Sequence, residues 1–215
     1  MVKIIVMYVL LVAQVSAEPL QYVAMGDSYT IGHNVDVAQR FPNQLVAKLN
    51  ESGLQIHLKR NIARTGWTTQ DLIEQGLPIF KTSKPTFSTL LIGVNDWVQG
   101  VSIEQFTQNI QVLLDEMLVT LPNKNCLLVV TIPDFSAAPQ GKNYGGGRNI
   151  SVGIHAFNFM IKAAAKERGI AVVDIFNLSQ GMSLNTDLVS SDGLHPSAKE
   201  YSRWVTKMLP KVKPL

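Results

Sequence analysis

A chain of 215 residues, 46% hydrophobic and only 16% charged, holds enough apolar side chains for one substantial core and carries no tract that reads as disordered or repetitive. A formal net charge of +3, without a basic run or an aromatic-interleaved patch, excludes nucleic acid as the partner that organises the surface. The single cysteine, Cys126, excludes an internal disulfide and sits in the apolar run Cys126-Leu127-Leu128-Val129-Val130, as a small core residue would.

The N-terminus stands apart. Met1-Val2-Lys3 carries one positive charge, Ile4 to Val15 is almost unbroken apolar sequence, and Val15-Ser16-Ala17 puts small residues before Glu18-Pro19. This order predicts a secretory signal peptide over 1–17, a single domain over 18–215, and a secreted or periplasmic location. The apolar run is short for a membrane span, so no integral membrane segment is expected in the processed chain. A buried first strand is the alternative, but Leu20 to Gly26 already supplies one.

After that strand, Tyr29 to Gln39 reads as a polar loop. Phe41, Leu45, Val46 and Leu49 recur at helical spacing, and Gly53 ends the helix. Gln55 to Ile62 alternates apolar and polar, as a strand near a sheet edge does. Asn61 to Trp67 forms the next loop, and Thr68 or Thr69 caps a short helix through about Gln75. Thr86 to Ile92 is a third strand, ended by the loop Gly93-Val94-Asn95-Asp96. Ser102-Ile103-Glu104-Gln105 has the pattern of a capping box. It opens a helix with Phe106, Ile110, Leu113, Leu114 and Met117 on one face. Cys126 to Ile132, the most apolar strand, is expected at the centre of the sheet. A Gly-, Pro- and Asn-rich loop runs from Pro133 to Asn149. Ile154, Phe157, Ile161 and Ala164 mark another helix, ended near Gly169. Ile170 to Ile175 is a fifth strand, and Pro196 is expected in the first turn of a last helix.

Strands alternating with helices at this spacing predict an α/β fold, a three-layer α/β/α sandwich around a parallel sheet of about five strands. Right-handed crossovers then bring the loops after successive strands to one edge. Those loops hold Ser28, Gly66, Asn95, Pro133-Asp134 and Asp192 to His195.

That convergence suggests chemistry. Serine needs a base to act as a nucleophile. His195 is the best placed of four histidines, and Asp192, three residues earlier, can fold back on its ring to fix the tautomer. Gly66 can offer a backbone N–H to a developing oxyanion and Asn95 its side-chain amide. Each residue alone has a plainer reading: a helix cap for Ser28, a turn for Gly66, a loop cap for Asn95, a surface pair for Asp192 and His195. His33, His57 and His155 read as structural or exposed, with His33 nearest to Ser28 in sequence. There is no Gly-x-Ser-x-Gly elbow, no His-Glu-x-x-His and no spaced Cys/His set, so neither a metal nor a cofactor is indicated. Gly145-Gly146-Gly147-Arg148 does not follow a strand and reads as a flexible loop beside the cleft rather than a phosphate cradle.

Four ordered blocks resemble the SGNH, or GDSL-type, serine hydrolases: Gly26-Asp27-Ser28-Tyr29, Asn61 to Gly66, Gly93-Val94-Asn95-Asp96 and Asp192-Gly193-Leu194-His195. Tyr29 stands where the family name has leucine. Phe41-Pro42-Asn43-Gln44-Leu45 and the His195-Pro196 segment are similar to the bacterial arylesterase and lysophospholipase branch. The resemblance implies a flavodoxin-like fold and ester hydrolysis through an acyl-serine without cofactor or metal. It implies Ser28 as nucleophile, His195 as base and Asp192 as its orienter. The oxyanion hole would comprise the Ser28 and Gly66 N–H groups and the Asn95 side chain. The expected substrate is a small-molecule or lipid ester, met in solution or at a lipid or glycan surface, with Trp67, Trp97 and Phe135 available to line an acyl site. A carbohydrate O-acetylesterase is the first alternative, and a non-catalytic glycan- or lipid-binding module the second.

Overall fold

The computed structural model describes residues 18–212. The expected signal peptide therefore lies outside the described residues. Five parallel strands form one sheet in the order β2-β1-β3-β4-β5. These are β1 (Leu20–Gly26), β2 (Ile56–Ala63), β3 (Phe87–Leu91), β4 (Leu127–Val130) and β5 (Ala171–Val173). The order makes β3 the middle strand. β4, expected there from its apolarity, lies one place toward the β5 edge, because strands flanked on both sides and covered on both faces read as equally apolar. The other outer strand, β2, alternates from Ile56 to Lys59 and then shifts register against β1, leaving Lys59 and Arg60 both exposed.

The chain leaves β1 through the single turn α1 (Ser28–Ile31) and then α2 (Phe41–Glu51). It leaves β2 through α3 (Thr69–Asp71), a wide π-type turn over Leu72–Gly76, and α4 (Leu77–Ser83). The helix begun at Thr68 thus runs past Gln75. Pro78 does not stop it, since it follows directly on the wide π-type turn. Past β3 come α5 (Val94–Gln99) and α6 (Ile103–Thr120). Ser102 caps α6 through the Gln105 N–H, but Gln105 turns its own amide to Asn109, so the capping box forms only in part. Past β4 comes α7 (Ile150–Glu167), and past β5 come α8 (Phe176–Ser179) and α9 (Ala198–Met208). Ser197, not Pro196, begins α9: its hydroxyl accepts the Glu200 N–H, and Pro196 precedes the cap in a bridge to Val189.

The step from β1 to β2 runs opposite to the steps from β3 to β5. With right-handed crossovers, this sends helices to both faces. α2 packs with α9 on one face; α4, α6 and α7 pack on the other. Phe106 of α6 stacks on Phe157 of α7 with ring centroids 4.2 Å apart. Cys126 is buried, as its apolar neighbours predict. Among the described residues no helix is long and apolar enough to cross a membrane.

Candidate active site

The sheet reverses its winding between β1 and β3, the place where open α/β sheets form a ligand crevice. The register sets Gly26 of β1 level with Ala63 of β2 and Leu91 of β3. Ser28, Gly66 and Asn95 follow within two to four residues, on three adjacent chains. Only glycine fits at position 26. A Cβ there would lie 2.2 Å from the Leu91 carbonyl oxygen and 2.2 Å from Thr30 Oγ1.

Asp27 caps α1 by accepting the Tyr29 N–H at 3.0 Å, which leaves Ser28 as the first helical residue, 5% exposed. Its N–H is one of the helix-start donors that have no acceptor within the helix. Gly66 holds φ +88°, a left-handed conformation suited to glycine, with open space where a Cβ would stand. Asn95 lies in the first turn of α5 rather than in a loop, because Gly93 already turns the chain. One of its amide hydrogens goes to the Trp67 carbonyl at 2.9 Å, and a second remains. Beneath, the buried Asp96 carboxylate accepts the Thr69 N–H at 2.9 Å and also the Thr69 hydroxyl, which in turn accepts from Asn109. These bonds fasten the Gly66 loop to α5.

The fourth segment comes from the far end of the chain. Asp192 Oδ1 accepts the N–H groups of Leu194 at 2.9 Å and His195 at 3.0 Å, and the Ser190 hydroxyl at 2.8 Å. Its Oδ2 lies 2.6 Å from His195 Nδ1 and accepts the Asn34 amide at 2.7 Å. Burial opposes ionisation of Asp192, but the His195 ring and these further donors outweigh it and hold the carboxyl well below the usual range. An ionised carboxylate can only accept, so Nδ1 carries the hydrogen and Nε2 is left with a lone pair. Burial lowers the affinity of the His195 ring for a second proton; Asp192 opposes this and nearby His33 adds to it. Tyr29 meets the His195 ring edge-on at 5.9 Å and rests on Trp204 of α9. Trp204 in turn donates to the buried Glu200.

Ser28, Gly66, Asn95 and His195 line one cavity of about 180 Å³, together with Tyr29, Val94, Val98, Phe135, Tyr144 and Leu194 among others. Of the three aromatics expected to line an acyl site, only Phe135 does. Trp97 lies in α5 and is 6% exposed; its ring meets Phe135 edge-on and carries the Arg148 guanidinium at 4.1 Å. Trp67 borders a separate groove on the β2 side. The glycine-rich segment is not a free loop. Arg148 donates to the Trp97 and Val98 carbonyls at 2.7 and 2.9 Å, clasping the segment that brings Tyr144 to the cavity. Sequence reasoning missed Tyr144, Val98, Asn34 and Ser190 as neighbours of the site. Only Ser190 carries a local signal, being two residues from Asp192.

The profile of the GDSL-like Lipase/Acylhydrolase family matches residues 24–203. "Esterase TesA" of Pseudomonas aeruginosa is 25% identical over 207 residues, which span 96% of this chain and 94% of that protein. Among solved structures, the lipase/acylhydrolase from Enterococcus faecalis has a TM-score of 0.72 at 19% identity, covering 90% of this chain and 95% of that one. The acetylxylan esterase Axe2 from Geobacillus stearothermophilus also has a TM-score of 0.72, at 17% identity, covering 91% and 95% of the two chains. At these identities the two likenesses show a shared fold, the parallel sandwich of the SGNH hydrolases. The chain belongs to the GDSL-like lipase/acylhydrolase family and is a carboxylic ester hydrolase.

Asp27 carries a charge problem next to Ser28. It is fully buried, and no hydrogen-bond partner meets its Oδ2. Burial, helped by the nearby Asp96 and opposed by the Tyr29 N–H, pushes its carboxyl up to about 8. The folded chain therefore keeps a proton that the unfolded chain loses above its ordinary pKa. The stability linked to this proton is full below about pH 4 and drains away as pH rises toward about 8. Asp27→Asn keeps an oxygen for the Tyr29 N–H and removes the titration. Thermal melts from pH 5 to 8 are expected to show a shallower decline for the variant, with a melting temperature at pH 8 no lower than wild type. An unchanged slope with a lower melting temperature would remove this account of Asp27.

Proposed function

We propose that the chain is a serine esterase acting on carboxylic esters of lipase, lysophospholipase or arylesterase type, with Ser28 as nucleophile, His195 as general base and Asp192 as its orienter. One observation carries the reading: Ser28, Gly66, Asn95 and His195 face one cavity while Asp192 occupies the other nitrogen of the His195 ring. In the proposed reaction the Ser28 hydroxyl attacks the ester carbonyl and His195 Nε2 takes its proton. The negative oxygen accepts hydrogen bonds from the Ser28 and Gly66 N–H groups and the Asn95 amide. Each such donor typically contributes about 2.7–4 kcal/mol to the transition state. Collapse expels the alcohol, which leaves with the proton from His195. Water, activated by the same ring, then frees the acid from Ser28. A neutral Asp27 beside Ser28 sets no negative charge against the developing oxyanion.

The acyl side is walled by Val94, Val98, Phe135, Tyr144 and Leu194, which supports an apolar acyl group. The cavity volume of about 180 Å³ favours the second reading, an O-acetylesterase, because it falls below the ~300–1,000 Å³ of most small-molecule pockets. The two readings separate on p-nitrophenyl esters of rising chain length. Turnover that grows from acetyl to octanoyl supports the lipid or aryl reading. A sharp preference for acetyl, with acetate released from acetylated glycan, moves the assignment to the second. Ser28→Ala is expected to stay folded, to lose labelling by a fluorophosphonate and to drop about 10³–10⁶-fold in kcat. Retained turnover removes Ser28 from the mechanism.

Because burial lowers the His195 pKa, the neutral base persists into mild acid. The acid limb of kcat/KM in the free enzyme is therefore expected below about pH 6.5, the ordinary histidine value. A midpoint above that value would argue against His195 as the base.

The N-terminal pattern supports a signal peptide cleaved after Ala17 and a secreted or periplasmic enzyme. N-terminal sequencing of exported protein is expected to begin at Glu18. Export with Met1 retained would refute cleavage.

A further inference from the structure

One side chain beside the triad has no part in the proposed reaction. His33 follows α1, its backbone held by the Ser28 carbonyl at 3.0 Å and its imidazole exposed. The ring lies 4.8 Å, centroid to centroid, from that of His195 and is tilted 46° to it. One ligand atom each from His33, Asp192 and His195 can be chosen so that all three lie within 4.8 Å of one another. The geometry points to an inhibitory site for a divalent zinc-like ion, held by His33, Asp192 and His195 with water in the fourth position.

Two imidazoles and a carboxylate form a donor set that zinc takes readily, with bonds of about 2.0–2.2 Å. Three donors around one such ion stand about 3–3.5 Å apart, so the Asp192–His195 pair, now 2.6 Å apart, must open slightly while His33 closes in by about 1–2 Å. The exposed His33 side chain has the freedom to make that move. Outer support is already in place. Thr65 Oγ1 lies 3.2 Å from His33 Nδ1, and with Nδ1 as the donor to it Nε2 keeps its lone pair for a metal. Asp192 is fixed from its other oxygen by Ser190 and two backbone N–H groups, and the ion displaces only the Asn34 amide or the His195 ring from Oδ2. The low affinity of Asp192 for a proton keeps it available as a ligand at neutral pH.

Asp192 Oδ2 lies against Nδ1, so an ion that Asp192 and His195 share sits on Nδ1. The single ring hydrogen then moves from Nδ1 to Nε2, and an N–H instead of a lone pair faces the serine. The base is lost, while Ser28 itself is untouched. Binding of the ion is independent of the esterase reading; the inhibition rests on it.

Zinc chloride titrated into Ser28→Ala in a calorimeter is expected to show one ion bound per chain. Adding His33→Ala is expected to weaken that binding by more than about tenfold, as loss of a ligand or its support does. With Ser28 present, zinc is expected to block p-nitrophenyl acetate hydrolysis and EDTA to restore it. His33→Ala and His33→Gln should keep the metal-free rate, since His33 is exposed and outside the reaction, and should need more than about tenfold more zinc for the same block. Zinc binding that is absent at millimolar concentration, or equal with and without His33, overturns the site. Binding that depends on His33 in a protein with no esterase activity leaves the site standing and removes the esterase reading instead.

Discussion

The close parallel approach of β1 and β3 at Gly26 is the constraint on which the rest of the site depends. With no Cβ at that position, the Leu91 carbonyl and the Thr30 side chain come within a distance that an alanine would occupy. The strand can then end level with its two neighbours, and the chains leaving all three begin at a common edge. A bulkier residue would push β1 out of register. Ser28 would then move relative to Gly66 and Asn95, although none of those three had changed.

Around that edge the protein uses polar bonds as fasteners. Asp96 ties the start of α3 to α5, Asn95 reaches back to the Trp67 carbonyl, and Arg148 clasps the glycine-rich segment to the end of α5. Each bond joins segments far apart in sequence, and each fixes a backbone that would otherwise be free to drift. A hydrolase gains from such fixation, because donors that are already oriented need not reorganise when charge develops on the substrate. Asp192 is the clearest case. Five donors converge on its two oxygens, and this convergence sets both its charge and the tautomer of His195.

Two acidic residues of the site, Asp192 beside His195 and Asp27 beside Ser28, differ in charge. Asp192 is met by many donors and stays ionised despite partial burial. Asp27 is fully buried with one oxygen unmatched, and it holds its proton to about pH 8. A charged carboxylate thus stands against the His195 ring, and a neutral one stands beside Ser28. Environment makes this division, since both side chains are aspartates.

The sequence by itself determined the alternation of strands and helices, the parallel sandwich, and the blocks around Ser28, Gly66, Asn95 and Asp192-His195. Hydrophobic periodicity and glycine placement are local properties, and they survive in a one-dimensional reading. Only the tertiary structure decided which strand lies in the middle, because burial on both faces gives every inner strand the same apolar look. It alone showed that Trp97 supports the wall of the cavity instead of forming it, that Tyr144 lines it, and that Asn34 and His33 stand against a pair 158 or more residues further along the chain. Those partners meet through sheet order and crossover direction, and no periodicity in the chain records where two distant turns will touch.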